Sequence, residues 1–263
     1  MKRNIDLSII IPAYNEEKRI GYTLESLGRY FSKKNINVEI LVVVNNTTDK
    51  TVDVVKQYQK EYAFIKYTNI RKAIGKGGAI SVGFRKSLGK YILFLDADGA
   101  SSPDQIMSIY NEAQNGDSDV VIGSRYLPNS EILGELPIYR IILSRAFNIV
   151  VRTLFGLNYY DTQCGLKIFK KEVAQLLSRR IISKKWTIDI NLLLLCKYYG
   201  FKVNEVPTTW TERGGSTLKI SKAFKEVFVE IAMLKRAELN KFINVKGGLL
   251  DTNPTLSYKA LIR

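Results

Sequence analysis

Two carboxylates stand one residue apart at the end of an apolar run, in the stretch YILFLDADGASSPD (91–104). If that run is a strand, Asp96 and Asp98 project to the same side and face one small volume. Paired carboxylate oxygens suit Mg²⁺ or Mn²⁺ that is held jointly with a substrate diphosphate. The spacing therefore predicts a metal site at Asp96 and Asp98. The alternative interpretation makes Asp98 a turn or N-cap residue before Pro103.

The composition limits the remaining chemistry. The chain has no histidine, which excludes His-based triads, imidazole general bases and His-containing zinc sites. Any metal is therefore expected to be held mainly by oxygen ligands. The cysteines, Cys164 and Cys196, are too few for a disulfide framework and favour a reducing compartment.

The elements that position the carboxylates are indicated by an alternation of apolar runs and helical patterns. Strands are predicted over 7–12, 38–44, 64–68, 91–96 and 119–123, and helices over 16–31, 49–61, 77–88 and 103–115. Apolar, β-branched strands separated by helices are typical of a parallel sheet that is buried on both faces. We therefore predict an α/β fold with an open, mostly parallel sheet. Ligands of such sheets bind beyond the carboxyl ends of the strands, in the loops that start at Pro12, Asn45, Asn69 and Asp96.

The second half of the chain has a different pattern, with two amphipathic helices predicted over 136–156 and 219–243. The first helix is apolar around most of its circumference and gathers its polar residues on one side: Arg140, Ser144, Arg145, Asn148 and Arg152. The second has an apolar stripe made of Ile220, Phe224, Val227, Phe228, Ile231 and Leu234. Helices of this kind either lie in a membrane interface or pack on the sheet, and the residues leave both interpretations open.

The charge of the chain indicates an anionic partner. The formal net charge is +15, and most of the excess lies in residues 131–263. A nucleic acid, an acidic membrane surface and a phosphorylated substrate would all suit it. Nucleic acid is disfavoured, because no recognisable module with stacking aromatics or a recognition helix is present. We expect neither a signal peptide nor a membrane span, since no stretch approaches the roughly 20 apolar residues that a span needs.

Several motifs resemble those of family 2 glycosyltransferases with the GT-A fold: IIIPAYNEE (9–17), DAD (96–98) and IGSRY (122–126). More narrowly, the chain resembles the dolichyl-phosphate β-glucosyltransferases, which are related to the dolichyl-phosphate mannose synthases. The segments that carry this resemblance are GKGGA (75–79), YILFLDADGA (91–100), DTQCGLKIF (161–169), KWTIDINLL (185–193) and TTWTERGGSTL (208–218). The similarity extends over about residues 6–240, in the order of the family's motifs.

The resemblance implies a GT-A domain over residues 1–243, followed by a tail, 244–263. Residues 1–130 would bind the nucleotide sugar, and 131–243 would bind the acceptor and the membrane interface. It implies an inverting, metal-dependent transfer of glucose from UDP-glucose to a dolichyl (polyprenyl) phosphate. The enzyme would be cytoplasmic and peripherally associated with the cytoplasmic face of a membrane. Another donor, GDP-mannose or UDP-N-acetylglucosamine, or a non-lipid acceptor is the alternative.

For that chemistry, the candidate site residues fall into three groups. The candidates for catalysis are Asp98, Asp189 and Arg125, with Asp96 and Asp98 holding Mg²⁺ or Mn²⁺. The candidates for nucleotide-sugar binding are Pro12, Tyr14, Glu16, Asn45, Lys76, Asp96, Ala97 and Asp98. The candidates for binding the acceptor phosphate are Arg125, Ser144, Arg145, Arg213 and Ser216. The nucleophile would be an anionic phosphate oxygen, which needs positioning by cations more than deprotonation.

The chain departs from the family's pattern at two places. The family usually carries Asp-Asp-Gly-Ser after its second strand, where this chain has Val44-Asn45-Asn46-Thr47. We expect Asn45 to accept a hydrogen bond from a uracil N–H through its amide oxygen, without charge. The glucosyl branch typically has Gly-Ser-Lys-Leu where this chain has Gly215-Ser216-Thr217-Leu218, so Arg213 or Lys219 would supply the missing charge.

Overall fold

The computed structural model describes residues 4–134, 137–212 and 220–240, and the side chains of 220–224 are outside the description. The five predicted strands are present as β1 (Leu7–Ala13), β2 (Val38–Asn45), β3 (Ile65–Ile70), β4 (Tyr91–Phe94) and β5 (Val120–Ser124). Four further strands follow: β6 (Glu131–Leu133), β7 (Lys167–Lys170), β8 (Val203–Pro207) and β9 (Thr209–Thr211).

Seven of these strands form one sheet in the order β3-β2-β1-β4-β7-β5-β8. All neighbouring pairs are parallel except those of β7, which runs antiparallel to both β4 and β5. The prediction of an open, mostly parallel sheet is thus confirmed. The antiparallel strand was not predicted, and it separates β4 and β5, the strands that precede Asp96 and Arg125. Strands β6 and β9 form a separate two-stranded parallel ribbon.

Eight helices lie within the described ranges. They are α1 (Ile20–Phe31), α2 (Thr51–Glu61), α3 (Gly75–Lys86), α4 (Pro103–Asn115), α5 (Ile138–Phe155), α6 (Lys171–Ser178), α7 (Ile188–Tyr199) and α8 (Ile220–Leu239). The predicted helix over 16–31 begins at Ile20, because residues 13–19 form the loop after β1. No helix in the described part of the chain combines the length and the apolarity that crossing a membrane requires.

The sheet is covered on both faces, as its continuous apolar strands require. Residues of β1 alternate between the two cores: Ile9 and Ile11 pack with α1, α2 and α4, whereas Ile10 packs with α3 and the later helices. All three of these isoleucines are fully buried. Because both faces of the sheet are filled, the strand ends are the places where polar side chains gather.

Candidate active site

Asp96 and Asp98 lie in a turn that follows β4. The strand ends at Phe94, and Leu95 N–H still donates to the carbonyl of Ile10 at 2.9 Å. The predicted strand over 91–96 therefore ends two residues early, and both Asp96 and Asp98 lie beyond it. The N-cap of α4 is Ser102, which accepts from the backbone N–H of Gln105, so Asp98 is not the helix cap.

The turn is fixed by hydrogen bonds on both sides. Asp98 Oδ1 accepts from the backbone N–H of Ala100 at 3.1 Å, and the left-handed φ of 70° at Gly99 permits this turn. The hydroxyl of Thr23 in α1 donates to the carbonyl of Ala97 at 2.9 Å. Beyond the turn, Thr211 N–H of β9 donates to the carbonyl of Ala100 at 3.0 Å. The carboxylates are thus presented by a supported loop.

Three carboxylates share one electrostatic environment at this end of the sheet. Burial and the charge of Asp96 raise the pKa of Asp98, while Arg19 and Lys76 act in the opposite direction. Burial also raises the pKa of Glu16, although its carboxylate accepts two hydrogen bonds from Arg19 at 2.7 and 2.8 Å. Asp98 and Asp96 contribute to that rise. The site therefore holds negative charge that a bound cation would relieve.

Lys76 is the cation nearest to Asp96 among the described ion pairs. Its Nζ lies 2.7 Å from Asp96 Oδ1 and 3.9 Å from Asp189 Oδ2. It also lies 5.1 Å from the ring centroid of Phe94. Burial lowers the pKa of Lys76, but the surrounding carboxylates outweigh burial and the pKa is raised. Lys76 is therefore a fixed, charged group at the site at neutral pH.

Asp189 is buried at the start of α7 and has a buried partner. Its Oδ1 lies 2.5 Å from Nζ of Lys167, a residue of β7 with no exposed surface. Lys167 also donates to the carbonyl of Cys164. A buried charge of this kind requires a partner. The pair was not predicted, although a lysine between the apolar residues of LKIF (166–169) was a usable signal.

The glycines of GKGGA allow another segment of the same chain to approach their backbone closely. A Cβ at Gly75 would lie 2.1 Å from the carbonyl oxygen of Lys184, and one at Gly77 would lie 1.9 Å from that of Ser183. Gly77 N–H donates to the carbonyl of Lys184 at 3.2 Å. The loop before α7 therefore approaches the backbone of these two glycines closely. The glycines hold the start of α3, and with it Lys76, against that loop.

Asn45 uses its whole side-chain amide within the chain. Its Nδ2 donates to the carbonyls of Ile70 and Lys72 at 3.2 and 2.7 Å. Its Oδ1 accepts from the N–H groups of Ile74 and Gly75 at 3.1 and 3.0 Å. A neutral amide can do all of this, because it both donates and accepts. The amide is saturated in this structure, so the expected bond to a uracil N–H would require exchange of one of these partners.

The remaining residues of the expected nucleotide site lie on the loop after β1. Pro12 is the penultimate residue of β1 and is half-buried, whereas the side chain of Tyr14 is 58% exposed. The backbone N–H of Glu16 donates to the hydroxyl of Thr51 at 2.8 Å. This loop is therefore tied to the N-terminus of α2, and the ring of Tyr14 is open to solvent.

Asp96 and Asp98 are the carboxylates of this site that a divalent metal could bind. No group of three or more Asp, Glu, Cys or His side chains in the described ranges is arranged to hold a metal ion. Asp96 and Asp98 offer hard oxygen ligands, and a Cβ at Gly165 would lie 2.2 Å from Asp96 Oδ2. The glycine thus leaves room for the carboxylate. Two carboxylates fit Mg²⁺ or Mn²⁺ whose coordination is completed by diphosphate oxygens and water.

Arg125 follows β5 and forms a two-point ion pair with Asp161. Its Nε and Nη2 donate to the carboxylate at 2.7 and 3.0 Å, and its backbone N–H donates to Oδ2 at 3.2 Å. Burial raises the pKa of Asp161, but the Arg125 guanidinium outweighs burial and holds it below its usual value. The guanidinium carbon also lies 5.8 Å from the ring centroid of Trp210. Sequence reasoning missed Asp161, although it stands in the DTQCG segment.

Ser144 and Arg145 lie on the side of α5 that faces the protein. Ser144 accepts from the hydroxyl of Tyr126 at 3.1 Å, and the Arg145 guanidinium lies 4.4 Å from the ring centroid of Tyr126. Arg145 also donates to the carbonyl of Tyr160 at 2.9 Å. Tyr126 therefore places the polar side of α5 next to Arg125. Arg213 and Ser216 lie outside the described residues.

One short segment of the chain connects the side chains around Asp96 with those around Arg125. Asp161 binds Arg125, and Gly165, four residues later, lies against Asp96. Four residues span at most about 14 Å. The structure thus brings the carboxylate turn, Lys76, Arg125 and the polar side of α5 to one end of the sheet.

The opposite side of α5 exposes apolar residues. They have exposures from 37% to 75% and comprise Ile138, Tyr139, Ile142, Leu143, Ile149, Val150 and Leu154. On α8, the exposed side includes Phe228, Val229, Met233 and Leu239. We call these residues the apolar helix surface. It forms because the polar residues of α5 face the protein, so the helix is inverted relative to an ordinary surface helix.

Comparisons with known proteins agree with this geometry. Residues 8–177 match the model of the family described as "Glycosyl transferase family 2". The chain is 32% identical over 226 residues to a protein of Dictyostelium discoideum named dolichyl-phosphate beta-glucosyltransferase, covering 82% of this chain and 69% of that protein. It is 31% identical over 224 residues to the Homo sapiens protein of the same name, with coverages of 81% and 69%.

Solved structures show the same fold. One is glucosyl-3-phosphoglycerate synthase from Mycobacterium tuberculosis in complex with Mn²⁺, UDP-glucose and phosphoglyceric acid. It aligns with a TM-score of 0.65 at 16% identity, covering 97% of this chain and 86% of that one. This likeness confirms the GT-A expectation for the fold.

Proposed function

We propose a substrate pair for this chain, which belongs to glycosyl transferase family 2 and is a glycosyltransferase. The chain transfers glucose from UDP-glucose to a dolichyl (polyprenyl) phosphate and releases UDP. The proposal is supported by the names of relatives that are 31–32% identical over four fifths of the chain. It is also supported by a structural neighbour whose title includes UDP-glucose and Mn²⁺.

The observation that carries the proposal is the meeting of two kinds of group at one end of the sheet. The carboxylate turn and Lys76 suit a nucleotide diphosphate, whereas Arg125 and the polar side of α5 suit a second phosphate. The two sets are joined through Asp161 and Gly165, as described above. In our proposal, residues 1–130 form the nucleotide-sugar half, and residues 131–243 form the acceptor and membrane half.

On the donor side, Asp96 and Asp98 would hold Mg²⁺ or Mn²⁺. When bound, that ion stabilises the negative charge that develops on the departing diphosphate. Lys76 holds Asp96 at 2.7 Å and adds a positive charge beside the diphosphate. The exposed ring of Tyr14 contacts the base, and Asn45 maintains the loop from Ile70 to Gly75. Pro12, Glu16 and Ala97 complete the walls of this site.

On the acceptor side, Arg125, Ser144 and Arg145 position the lipid phosphate, together with Arg213 and Ser216. A phosphate oxygen is already anionic, so it needs no general base. That oxygen forms a bond to the anomeric carbon while the bond from this carbon to the UDP oxygen breaks. A single displacement inverts the configuration and gives a β-glucosyl phospholipid. The Asp161 carboxylate binds Nε and Nη2 of Arg125, and we assign the remaining guanidinium nitrogen, Nη1, to the phosphate.

We assign Asp189 the role of orienting the substrates from its buried position next to Lys76. Its carboxylate stands between Lys167 at 2.5 Å and Lys76 at 3.9 Å. This arrangement neutralises a buried carboxylate while leaving the charge of Lys76 directed toward Asp96. Loss of the Asp189 carboxylate would leave the ammonium groups of Lys167 and Lys76 without their shared counter-ion. We therefore assign both a structural role and an orienting role to Asp189.

A membrane is the partner that suits the apolar helix surface. Its residues on α5 are exposed apolar side chains, and α8 adds the exposed cations Lys225 and Arg236. Apolar insertion with flanking positive charge is how peripheral helices bind anionic bilayers. We place the enzyme at the cytoplasmic face, and the free, buried thiols Cys164 and Cys196 fit a reducing compartment. Nucleic acid has no place in this proposal.

A donor and acceptor screen tests the proposed function. Purified protein is incubated with Mg²⁺ or Mn²⁺, a short polyprenyl phosphate, and one of UDP-glucose, GDP-mannose or UDP-N-acetylglucosamine, and the lipid product is identified by mass spectrometry. We expect a hexosyl phospholipid from UDP-glucose. A product from GDP-mannose alone would overturn the donor assignment. A product only with a water-soluble phosphate would overturn the lipid acceptor.

A further inference from the structure

We propose that Glu230 of α8 is a positioning residue that fixes Lys76 through the loop of residues 183–187, here called the α7 entry loop. This inference rests on the proposed function, in which Lys76 contacts the donor diphosphate. Glu230 lies on the helix that carries part of the apolar helix surface. It would therefore connect the membrane-binding side of the molecule with a cation at the donor site.

The carboxylate of Glu230 is the centre of the α7 entry loop. Its Oε1 accepts from the backbone N–H groups of Lys184 and Lys185, both at 2.9 Å. Its Oε2 accepts from the hydroxyl of Ser183 at 3.1 Å, and from the N–H and hydroxyl of Thr187 at 3.1 and 2.9 Å. Five donors thus converge on one side chain that is 8% exposed.

Such a number of donors requires an ionised carboxylate. Burial raises the pKa of Glu230, but the hydrogen bonds from Thr187, Lys184 and Lys185 outweigh burial, and the pKa is lowered. A carboxylate only accepts hydrogen bonds, whereas a glutamine amide would direct two N–H groups at these donors. The loop therefore depends on the charge and acceptor capacity of Glu230.

The α7 entry loop transmits this constraint to Lys76. The Lys184 carbonyl accepts from Gly77 N–H at 3.2 Å, and a Cβ at Gly75 would lie 2.1 Å from the same oxygen. Lys76 stands between these two glycines, with its Nζ 2.7 Å from Asp96. A shift of the loop therefore shifts the backbone on which Lys76 is placed.

Helix α8 contacts the α7 entry loop at a second residue, since Glu226 accepts from Lys185 Nζ at 2.6 Å and from Trp186 Nε1 at 3.1 Å, and it also contacts α5. Lys235 donates to the carbonyl of Leu154 at 2.7 Å, and the side chain of Leu234 is fully buried. Immediately before Glu230, Phe228 and Val229 are 66% and 69% exposed on the apolar helix surface. The position of α8 is therefore determined by its contacts with α5 and with the α7 entry loop, and by any partner that covers its exposed side.

The first test compares Glu230→Gln with Glu238→Gln as a matched control. Glu238 lies on the same helix and contacts Lys235 of α8 at 2.7 Å. Hydrogen exchange is measured without substrate. We expect the Gly77 amide to exchange faster in Glu230→Gln and to be unchanged in Glu238→Gln, with exchange in β1 and β2 unaltered. Unchanged exchange at Gly77 in a folded Glu230→Gln protein would overturn the proposal.

The second test is a double-mutant cycle with Lys76→Met, measured as kcat/KM for UDP-glucose. A displaced catalytic group costs up to roughly a hundredfold in rate, and we expect Glu230→Gln to lower kcat/KM about tenfold. In the Lys76→Met background the same change should cost no more than about twofold, because coupled residues are not additive. An equal loss in both backgrounds would show that Glu230 acts independently of Lys76 and would overturn the proposal.

The two tests separate this inference from the proposed function. If no glucosyl lipid is formed by the unaltered protein, the proposed function fails, and the exchange measurement still decides whether Glu230 holds the Gly77 amide. If transfer occurs but the cycle is additive, the function stands and the positioning role fails. Glu230→Asp is the second variant: it keeps the charge, and we expect it to recover part of the kcat/KM that Glu230→Gln loses.

Discussion

The carboxyl edge of the sheet and helix α5 distribute polar and apolar side chains in opposite ways. At the sheet edge, strand residues such as Ile10 are fully buried, and polar groups gather where the strands end. On α5 the polar residues face the protein, where Asn148 is buried, while Ile138 is 75% exposed. The first region follows from burial within one chain. The second does not, and the membrane partner that we propose would account for it.

The two regions therefore differ in role: the buried strands stabilise the fold, whereas we propose that the exterior of α5 binds a membrane. The interior side of α5 holds the segment that contains Asp161, since Asn148 accepts from the N–H and hydroxyl of Thr162 at 3.1 and 2.7 Å. Its exterior side adds nothing to the core. Changes at the sheet edge should therefore abolish chemistry, and changes on the exterior of α5 should affect membrane binding.

The largest effect is expected for Asp98→Asn. Loss of the carboxylate removes a ligand and a charge from the donor site, and transfer should fall by roughly a thousandfold or more. The melting temperature should stay close to that of the unaltered protein. Asp53→Asn, an exposed carboxylate of α2, is the control and should retain full transfer. Transfer that persists in Asp98→Asn would remove the carboxylate turn from the chemistry.

The next effect is expected for Asp161→Asn, which breaks the pair with Arg125. Removing one partner of a buried ion pair costs about 3–5 kcal/mol, which chemical denaturation will measure. Because Arg125 also loses its orientation, transfer should fall by roughly a hundredfold at temperatures where the variant is folded. Arg125→Lys, which keeps the charge without the planar fork, should also lose transfer. Normal transfer in Arg125→Lys would contradict a positioning role for the fork.

A smaller effect is expected for the exterior of α5. Ile142→Glu combined with Ile149→Glu should lower binding to anionic vesicles by at least about tenfold, because burying each isoleucine contributes about 1.5–3 kcal/mol. Vesicle flotation measures this loss, and the melting temperature should not change, since both side chains are exposed. Leu88→Glu, an exposed leucine elsewhere, is the control and should bind vesicles normally. Unaltered flotation of the double variant would exclude α5 from the membrane interface.

The smallest effect is a pH dependence that comes from Glu230. Its pKa in the folded protein lies below the ordinary value of 4.5. Its contribution to stability is therefore complete above pH 4.5 and is lost as the pH falls through the lowered pKa. The melting temperature of Glu230→Gln should be lower by a few degrees near neutral pH, and this difference should narrow below about pH 4. A difference that stays constant down to about pH 3 would contradict an ionised Glu230.

The sequence predicted the sheet better than the site. The continuous apolar runs of β1 to β5 leave few alternatives to buried parallel strands, and all five are present. The antiparallel β7, Lys167 and Asp161 were missed because each is defined by a partner distant in the chain. Asp189 and Lys167 are an example, since neither residue alone indicates that they form a pair.

The sequence also could not predict which side of α5 faces the protein. Its periodicity separates a polar side from an apolar side, but only packing decides which side faces the protein. Here the polar side faces the protein, where Ser144 and Arg145 form hydrogen bonds with Tyr126 and Tyr160. Asn45 is similar, because its residue type allows base recognition and loop support equally, and the contacts show loop support.

The most direct test of the account is transfer on a membrane. Anionic vesicles that contain dolichyl phosphate are incubated with the protein, UDP-glucose and Mg²⁺, and the extracted lipid is examined by mass spectrometry and for anomeric configuration. We expect a β-linked glucosyl phospholipid that is absent with Asp98→Asn and reduced with the double variant of α5. A folded protein that binds these vesicles and UDP-glucose but forms no glucosyl lipid would contradict this expectation.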